Sequence, residues 1–257
     1  MRLQQDELSL PARALVPRLR GKQPLTAEAK EAADRLLTWD FVLNRDSVPA
    51  AIEVAWEREL RLSLVEMMVP REVRPALPDS TLSTVRIIAW LTEPDGRFGT
   101  DPIAGRDALV LKALDKAVAT LRQRLGPDMR RWQYGQAKFK HIQLKHPLSD
   151  AVRADLQSRL DLEPLPRGGY AHTVNSTSNA DNQTTGASFR VIADVADWDR
   201  SLGTNTPGQS GDPESPHYRD LYKPWAAGEY FPVYFSRAKV ESATEAKTVL
   251  VPRRNSS

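Results

Sequence analysis

The chain has 257 residues, of which 40% are hydrophobic and 27% charged, with a formal net charge of +3. That length can bury the core of one large domain or two small ones, and its interspersed charges, with no basic run threaded by aromatics, argue against a single-stranded nucleic-acid binder. Cysteine is absent, which excludes a disulfide framework, a thiolate nucleophile and a cysteine-based zinc site, and no apolar run approaches the roughly 20 residues of a membrane span.

The start, Met1-Arg2-Leu3-Gln4-Gln5-Asp6, lacks the apolar stretch of a signal peptide. Apolar spacing from Leu3 predicts a short helix ending near Pro17. Thr26 caps a predicted helix to about Trp39, and Asp46-Ser47 cap a second through about Val69. Ile52, Trp56, Leu60 and Leu64 fall four apart on one face of that second helix, and the tryptophans read as core. A proline-punctuated connector, 70–78, leads to a third helix over 81–91 that presents Val85, Ile88 and Leu91. Pro94-Asp95-Gly96 is a turn. Arg106 to Leu125 is the clearest helix, with a stripe of Val110, Leu114, Ala117, Val118, Leu121 and Leu125, stopped by Gly126-Pro127.

From residue 130 the period changes. Trp132, Tyr134, Phe139, His141, Ile142 and Leu144 alternate as in a strand. Residues 176–187 are polar and read as a mobile loop, and Ser188 to Val195 read as a strand. The stretch from Asn205 to Trp225 carries Gly208, Gly211 and four prolines, which rule out a helix interior or central strand. It also carries His217, Tyr218, Tyr222 and Trp225, which a solvated linker does not need, so it reads as a packed loop with Tyr218 and Trp225 buried. Phe231 to Phe235 is a short extended piece, Ser236 caps a helix over 238–243, Thr248 to Pro252 is a terminal strand and Arg253 to Ser257 is frayed. Helices therefore fill 1–128, and strands with long loops fill 129–257. That segregation predicts an α+β fold.

The residues alone offer no catalytic constellation. His141 and His146 are five apart, which is not a helical zinc spacing, and His172 and His217 sit in or beside loops, so no metal site is predicted. His146 and His217 are expected to hydrogen-bond to loop backbone. Ser210 follows Gly208-Gln209 and precedes Gly211, which is not the Gly-x-Ser-x-Gly elbow, and reads as a structural turn residue.

Several motifs nonetheless occur together, in order. They are Leu3-Gln4-Gln5-Asp6, Trp39-Asp40 with Asp46-Ser47, Trp132 with Gly135, His146-Pro147-Leu148, Gly168-Gly169 with Thr173-Val174-Asn175, Pro207-Gly208-Gln209-Ser210-Gly211, Ser215-Pro216-His217-Tyr218, Asp220 and Trp225. Over most of the chain this resembles the later part of the β-subunit of penicillin acylases, N-terminal nucleophile (Ntn) hydrolases, with Leu3 in place of the usual Met. The resemblance implies that the chain begins mid-domain, forms part of an αββα sandwich, and hydrolyses acyl amides such as β-lactam side chains or acyl-homoserine lactones only with its partner, the α-subunit and first half of the β-subunit.

The family's nucleophile is an N-terminal serine whose own amino group is the base. It would lie outside this chain, as would any calcium ligands, and the chain itself implies no cofactor. Export to the periplasm or medium would follow from a signal peptide on the full-length protein. By alignment of Gly186-Ala187-Ser188-Phe189, Asp194 takes the place of a carboxylate that orients an auxiliary histidine in some relatives. The competing reading is a non-catalytic binding or structural module.

Overall fold

The structure is a computed structural model that describes residues 2–77 and 82–252. It forms two compact units, Met1–Gly186 and Ala187–Ser257. The fold is α+β, with helices concentrated in the first half and short strands and loops in the second.

In the first unit, α1 (Leu10–Leu15), α2 (Ala27–Leu37), α3 (Val48–Met68), α4 (Thr84–Thr92) and α5 (Pro102–Leu125) surround one apolar core. Each begins at a side chain that accepts a first-turn N–H: Ser9, Thr26, Ser47, Ser83 and Asp101. Proline in the first turn of α3 and α5 fits where no intrahelical N–H is needed. The stripes of α3 and α5 face each other. Ile52, Trp56, Leu60 and Leu64 are fully buried, as are Val110, Leu114 and Leu121. Trp56 donates its indole N–H to the Val110 carbonyl at 3.1 Å, fixing the rotation of one helix against the other.

The third helix corrects its predicted face. Val85 is 78% exposed, whereas Thr84, Ile87 and Leu91 are buried. At 3.6 residues per turn a spacing of i, i+3, i+7 stays on one face, whereas i, i+3, i+6 drifts off it. The predicted start at Thr81 lies outside the described residues.

Residues 132–144 do not form the predicted strand. The one strand there is β1 (His141–Ile142), antiparallel to β2 (Leu165–Pro166), with an isolated bridge between Gly135 and Lys140 before it. The preceding aromatics are held instead by loop contacts: Tyr134 N–H to Ser47 O at 3.0 Å and Gly135 N–H to Arg45 O at 2.6 Å. A Cβ at Gly135 would strike Arg45, so the approach requires glycine. A short α6 (Ala154–Leu160) separates β1 from β2. After β2 the chain runs through turns at 171–175.

The polar stretch 176–187 is pinned. Gln183 is fully buried and donates to Gly169 O at 2.9 Å and Thr177 Oγ1 at 2.7 Å. The Asn182 side chain pairs with the backbone of Gln143 in both directions, at 2.8 and 2.9 Å, as a strand neighbour would.

The second unit has one antiparallel sheet of order β3 (Arg190–Ile192), β4 (Leu202–Thr204), β5 (Phe231–Pro232). The strand predicted over 188–195 contracts to three residues because the chain turns at Asp194. α7 (Tyr222–Ala227) lies inside the stretch predicted to exclude helix; Pro224 is its third residue, where the first turn tolerates proline. Ser236 caps α8 (Arg237–Ser242) as expected. Thr248 to Pro252 is unpaired and exposed, not a strand, and residues 253–257 lie outside the described residues.

The long loop closes on itself. The His217 carbonyl accepts from Gln209 N–H at 2.9 Å and Ser210 N–H at 3.1 Å, and Leu221 N–H reaches Pro207 O at 3.1 Å. A Cβ at Gly208 would overlap the His217 carbonyl. Tyr218, Tyr222 and Trp225 are buried, and the Trp225 indole donates to Ala187 O at 3.1 Å. Trp225→Ala is expected to cost about 3–5 kcal/mol. The midpoint of urea unfolding checks this, and an unchanged midpoint would show that the indole does not hold the loop.

Candidate functional site

A buried polar cluster sits in the first unit, where α3 meets the N-terminus of α4 and the 167–181 segment. Glu53 and Glu57 lie one turn apart on α3 and are only 1% and 2% exposed. They reach the interior because α3 carries alanine around much of its circumference there: Ala50, Ala51 and Ala55 are buried as well. Glu57 Oε1 accepts from Arg61 at 2.7 Å and from the Thr84 hydroxyl at 3.1 Å. Arg61 also donates to Thr84 Oγ1 at 2.8 Å and to the Leu82 carbonyl. Thr84 Oγ1 lies 3.0 Å from His172 Nε2, and the His172 ring meets Tyr170 edge-on at 5.5 Å.

The two carboxyls are driven apart. Burial raises Glu57, but hydrogen bonding and charge from His172 and Arg61 overcome it and hold the carboxyl below its usual range. Burial, and then the charge of Glu57, push Glu53 well above that range, and Glu53 Oε1 has no hydrogen-bond partner.

A second group borders the first. Lys140 is fully buried and donates from Nζ to Asn179 O at 2.9 Å and Ala180 O at 2.7 Å, with the Tyr170 ring centroid 4.6 Å away. Burial, then the charge of Arg58, bring its amine down to about 6. A neutral amine has two N–H bonds, which match the two carbonyls. Arg58 donates to Asp181 at 2.9 Å and to Asn179 O at 2.7 Å, and Arg124 closes on the other Asp181 oxygen. Glu7 accepts from Asn175 at 3.1 Å, and burial raises its carboxyl to about 7. Together these groups fasten 167–181 to α3, α5 and the N-terminal turns. A cleft of about 550 Å³ opens beside them, lined by Arg58, Arg61, Val65, Arg74, Tyr170 and Asn179 among others.

The arrangement fixes charge but does not form a nucleophile–base–acid line. Glu57 meets the same His172 nitrogen as Thr84, at 3.8 Å, rather than orienting the ring from Nδ1. Among the described residues no group of three or more His, Cys, Asp or Glu side chains is placed to hold a metal ion, so these residues do not by themselves fit a calcium site.

The residues singled out in the sequence are scattered. Asp194 ends the run after β3; its Oδ1 accepts from Ala196 N–H at 3.0 Å and Asp197 N–H at 3.2 Å, and its Oδ2 lies 3.6 Å from Arg200 Nε. Ser210 Oγ accepts from Asp212 N–H at 3.1 Å, closing a turn. His146 Nδ1 accepts from Leu148 N–H at 3.1 Å, as expected of a loop-fixing histidine. His217 differs from expectation: its ring pairs with Asp220 at 2.9 Å, because the carbonyl rather than the imidazole takes the loop N–H groups. Only His172 enters the buried cluster. The sequence signal for the rest was the pair of acids, Glu53 and Glu57, among the small apolar residues Ala50, Ala51, Val54 and Ala55 of α3.

The chain is 28% identical over 244 residues to the acyl-homoserine lactone acylase QuiP of Pseudomonas aeruginosa, covering 87% of this chain and 29% of that protein. It is 33% identical over 237 residues to the penicillin acylase 2 proenzyme of Pseudomonas sp. strain SE83, covering 87% of this chain and 29% of that protein. The chain thus spans under a third of the length of these curated relatives. Its fold matches the thermostable penicillin G acylase of Alcaligenes faecalis with a TM-score of 0.56 at 19% identity, over 96% of this chain and 47% of that one. Residues 1–242 match the penicillin amidase family, and with that span covering nearly every element of both units, the chain belongs to that family.

Proposed function

We propose that the chain is the C-terminal portion of an acyl-amide hydrolase whose N-terminal serine nucleophile lies outside it. The family match over residues 1–242 carries this reading. The substrate classes come from the relatives, penicillins from one and acyl-homoserine lactones from the other. The partner is the remaining N-terminal part of the acylase: the α-subunit and the first half of the β-subunit. In this reading 1–128 is the helical part, and 129–257 supplies strands and loops that complete the Ntn-hydrolase sheets. Phe189, Val191 and Val233 are at least one-third exposed on or beside β3–β5, and the partner would cover them. No helix among the described residues is long and apolar enough to cross a membrane. Asp194 serves here as the carboxylate orienting a histidine of the missing part, with Arg200 alongside its Oδ2.

The test compares the purified 257-residue chain with the product of the longest reading frame containing it, on phenylacetyl amides and acyl-homoserine lactones. Turnover is expected from the longer product and none from 1–257. Within the longer product, Asp194→Asn is expected to lower kcat with an unchanged Tm. Hydrolysis by 1–257 that is abolished by Ser210→Ala would overturn the assignment. So would a longer product that is folded and processed but inert on both substrate classes.

A further inference from the structure

We propose that Glu53 and Glu57 hold a single proton between them, that this proton latches the His172 turn of the 167–181 segment onto α3 and α4, and that losing it releases that turn. The inference goes beyond the hydrolase reading and does not depend on it.

Burial and spacing favour a single proton on the pair. Two carboxyls one helical turn apart, each at most 2% exposed, cannot both ionise cheaply, since like charges out of water disfavour each other. The cation and the donors all serve one member. Glu57 receives Arg61 and the Thr84 hydroxyl, with His172 beyond, whereas Glu53 Oε1 receives nothing. The proton therefore sits on Glu53 and the charge on Glu57.

The surroundings decide what gives way when that proton leaves. On α3 the neighbours are Arg58 and Arg61, both committed to other partners, Asp181 and Glu57. Thr84 faces the pair from α4. Tyr134 and Tyr170 both feel the charge of Glu53, and Lys140 and Tyr170 that of Glu57. Glu7, in the N-terminal turns, accepts from Asn175 of the segment. α3 cannot retreat, because Ile52 and Trp56 on the same turns are fully buried in the core. The 171–176 stretch is made of turns, and the His172 side chain is 27% exposed. A second carboxylate therefore draws water in past His172, breaking the Thr84–His172 contact and freeing the His172 turn of the segment, while Lys140 and Arg58 still hold its far end.

Titration of the neighbours does not mimic this at alkaline pH. Lys140 and Glu7 lose their protons at about 6 and about 7, below the window. Burial raises both tyrosines, and the arginines stay charged throughout.

Two measurements on the 257-residue chain test the latch. In a Glu7→Gln background, which removes the other carboxyl raised to about 7, infrared spectroscopy at pH 7 is expected to show a protonated carboxylic acid band that Glu53→Gln removes. Hydrogen exchange of the peptide spanning 168–182, corrected for intrinsic chemistry, is expected to lose at least about tenfold protection as the pH is raised from neutral to alkaline in the parent, one unit of titration being tenfold. Glu53→Gln, which keeps the shape but cannot ionise, is expected to retain that protection. Parallel loss in parent and variant would overturn the proposal, as would a Glu7→Gln background with no such acid band. If Glu53→Gln does not fold, Glu53→Leu takes its place in the exchange experiment, and the band of the Glu7→Gln background still decides between one proton and none.

Discussion

Trp56→Ala is expected to destabilise the first unit by about 3–5 kcal/mol, the cost of removing a large aromatic side chain from a packed core. The position is chosen by three observations. Trp56 is fully buried at the centre of the α3 stripe, flanked one turn away on either side by Ile52 and Leu60, also fully buried. Its indole N–H is spent on Val110 O, so the substitution removes a directional tie between α3 and α5 as well as volume. Around it the helix presents alanine at positions 50, 51 and 55, too small to collapse into the vacated space. With typical domain stabilities of about 5–15 kcal/mol, the variant should lose about a fifth or more of its margin. Urea unfolding followed by circular dichroism measures it. A loss under about 1 kcal/mol, the range of volume-conserving swaps, would mean that α3 and α5 do not pack through this side chain.

The helices were legible because their determinants are local. Ser47 and the alternating stripe from Ile52 to Leu64 lie within one continuous segment, as do Leu114, Leu121 and the Gly126 stop of α5. The strands were not, because pairing is decided by distant chain. Trp132 to Leu144 alternate convincingly, yet the backbone partners of Tyr134 and Gly135 are Ser47 and Arg45, some ninety residues earlier. Polarity misled at 176–187 for the same reason. Asn182 and Gln183 find buried acceptors on Gln143, Gly169 and Thr177, and composition cannot distinguish that from solvation. The long loop was legible as packed, since its aromatics had no other use, but α7 was hidden by Pro224, which falls in the first turn where it does no harm. Of the buried cluster only His172 had drawn notice. Glu53 and Glu57 look like solvent-facing residues until the alanines around them show that α3 has no solvent face at that level. Asp194 was singled out only through family resemblance, because nothing in its own spacing marks it.

Glu57→Leu is expected to cost about 3 kcal/mol at neutral pH, the lower end of what removing one partner of a buried ion pair costs, since Arg61 keeps 20% exposure. The loss has a second part: Thr84 and His172 are left without the carboxylate that gathers them. The pH dependence separates this from a simple packing defect. The folded state holds Glu57 below its ordinary value, so the unfolded chain binds the proton more readily. The contribution of Glu57 is therefore full above the ordinary carboxylate range and disappears as pH falls through the folded value. Glu7 has the opposite sign. Its folded value is about 7, so the folded state keeps a proton that the unfolded chain releases, and the stability it contributes fades as pH rises from the ordinary carboxylate range to about 7. In the parent, unfolding free energy should climb with pH in the acid limb through Glu57 and other depressed carboxylates such as Asp107 and Asp181, and be held back toward neutrality by Glu7 and Glu53. Glu57→Leu should flatten the acid limb while leaving the Glu7 slope in place. Urea midpoints collected across both limbs, for parent and variant, show which slope has gone. An acid limb of unchanged steepness in Glu57→Leu would mean that Arg61 and His172 do not hold an ionised Glu57.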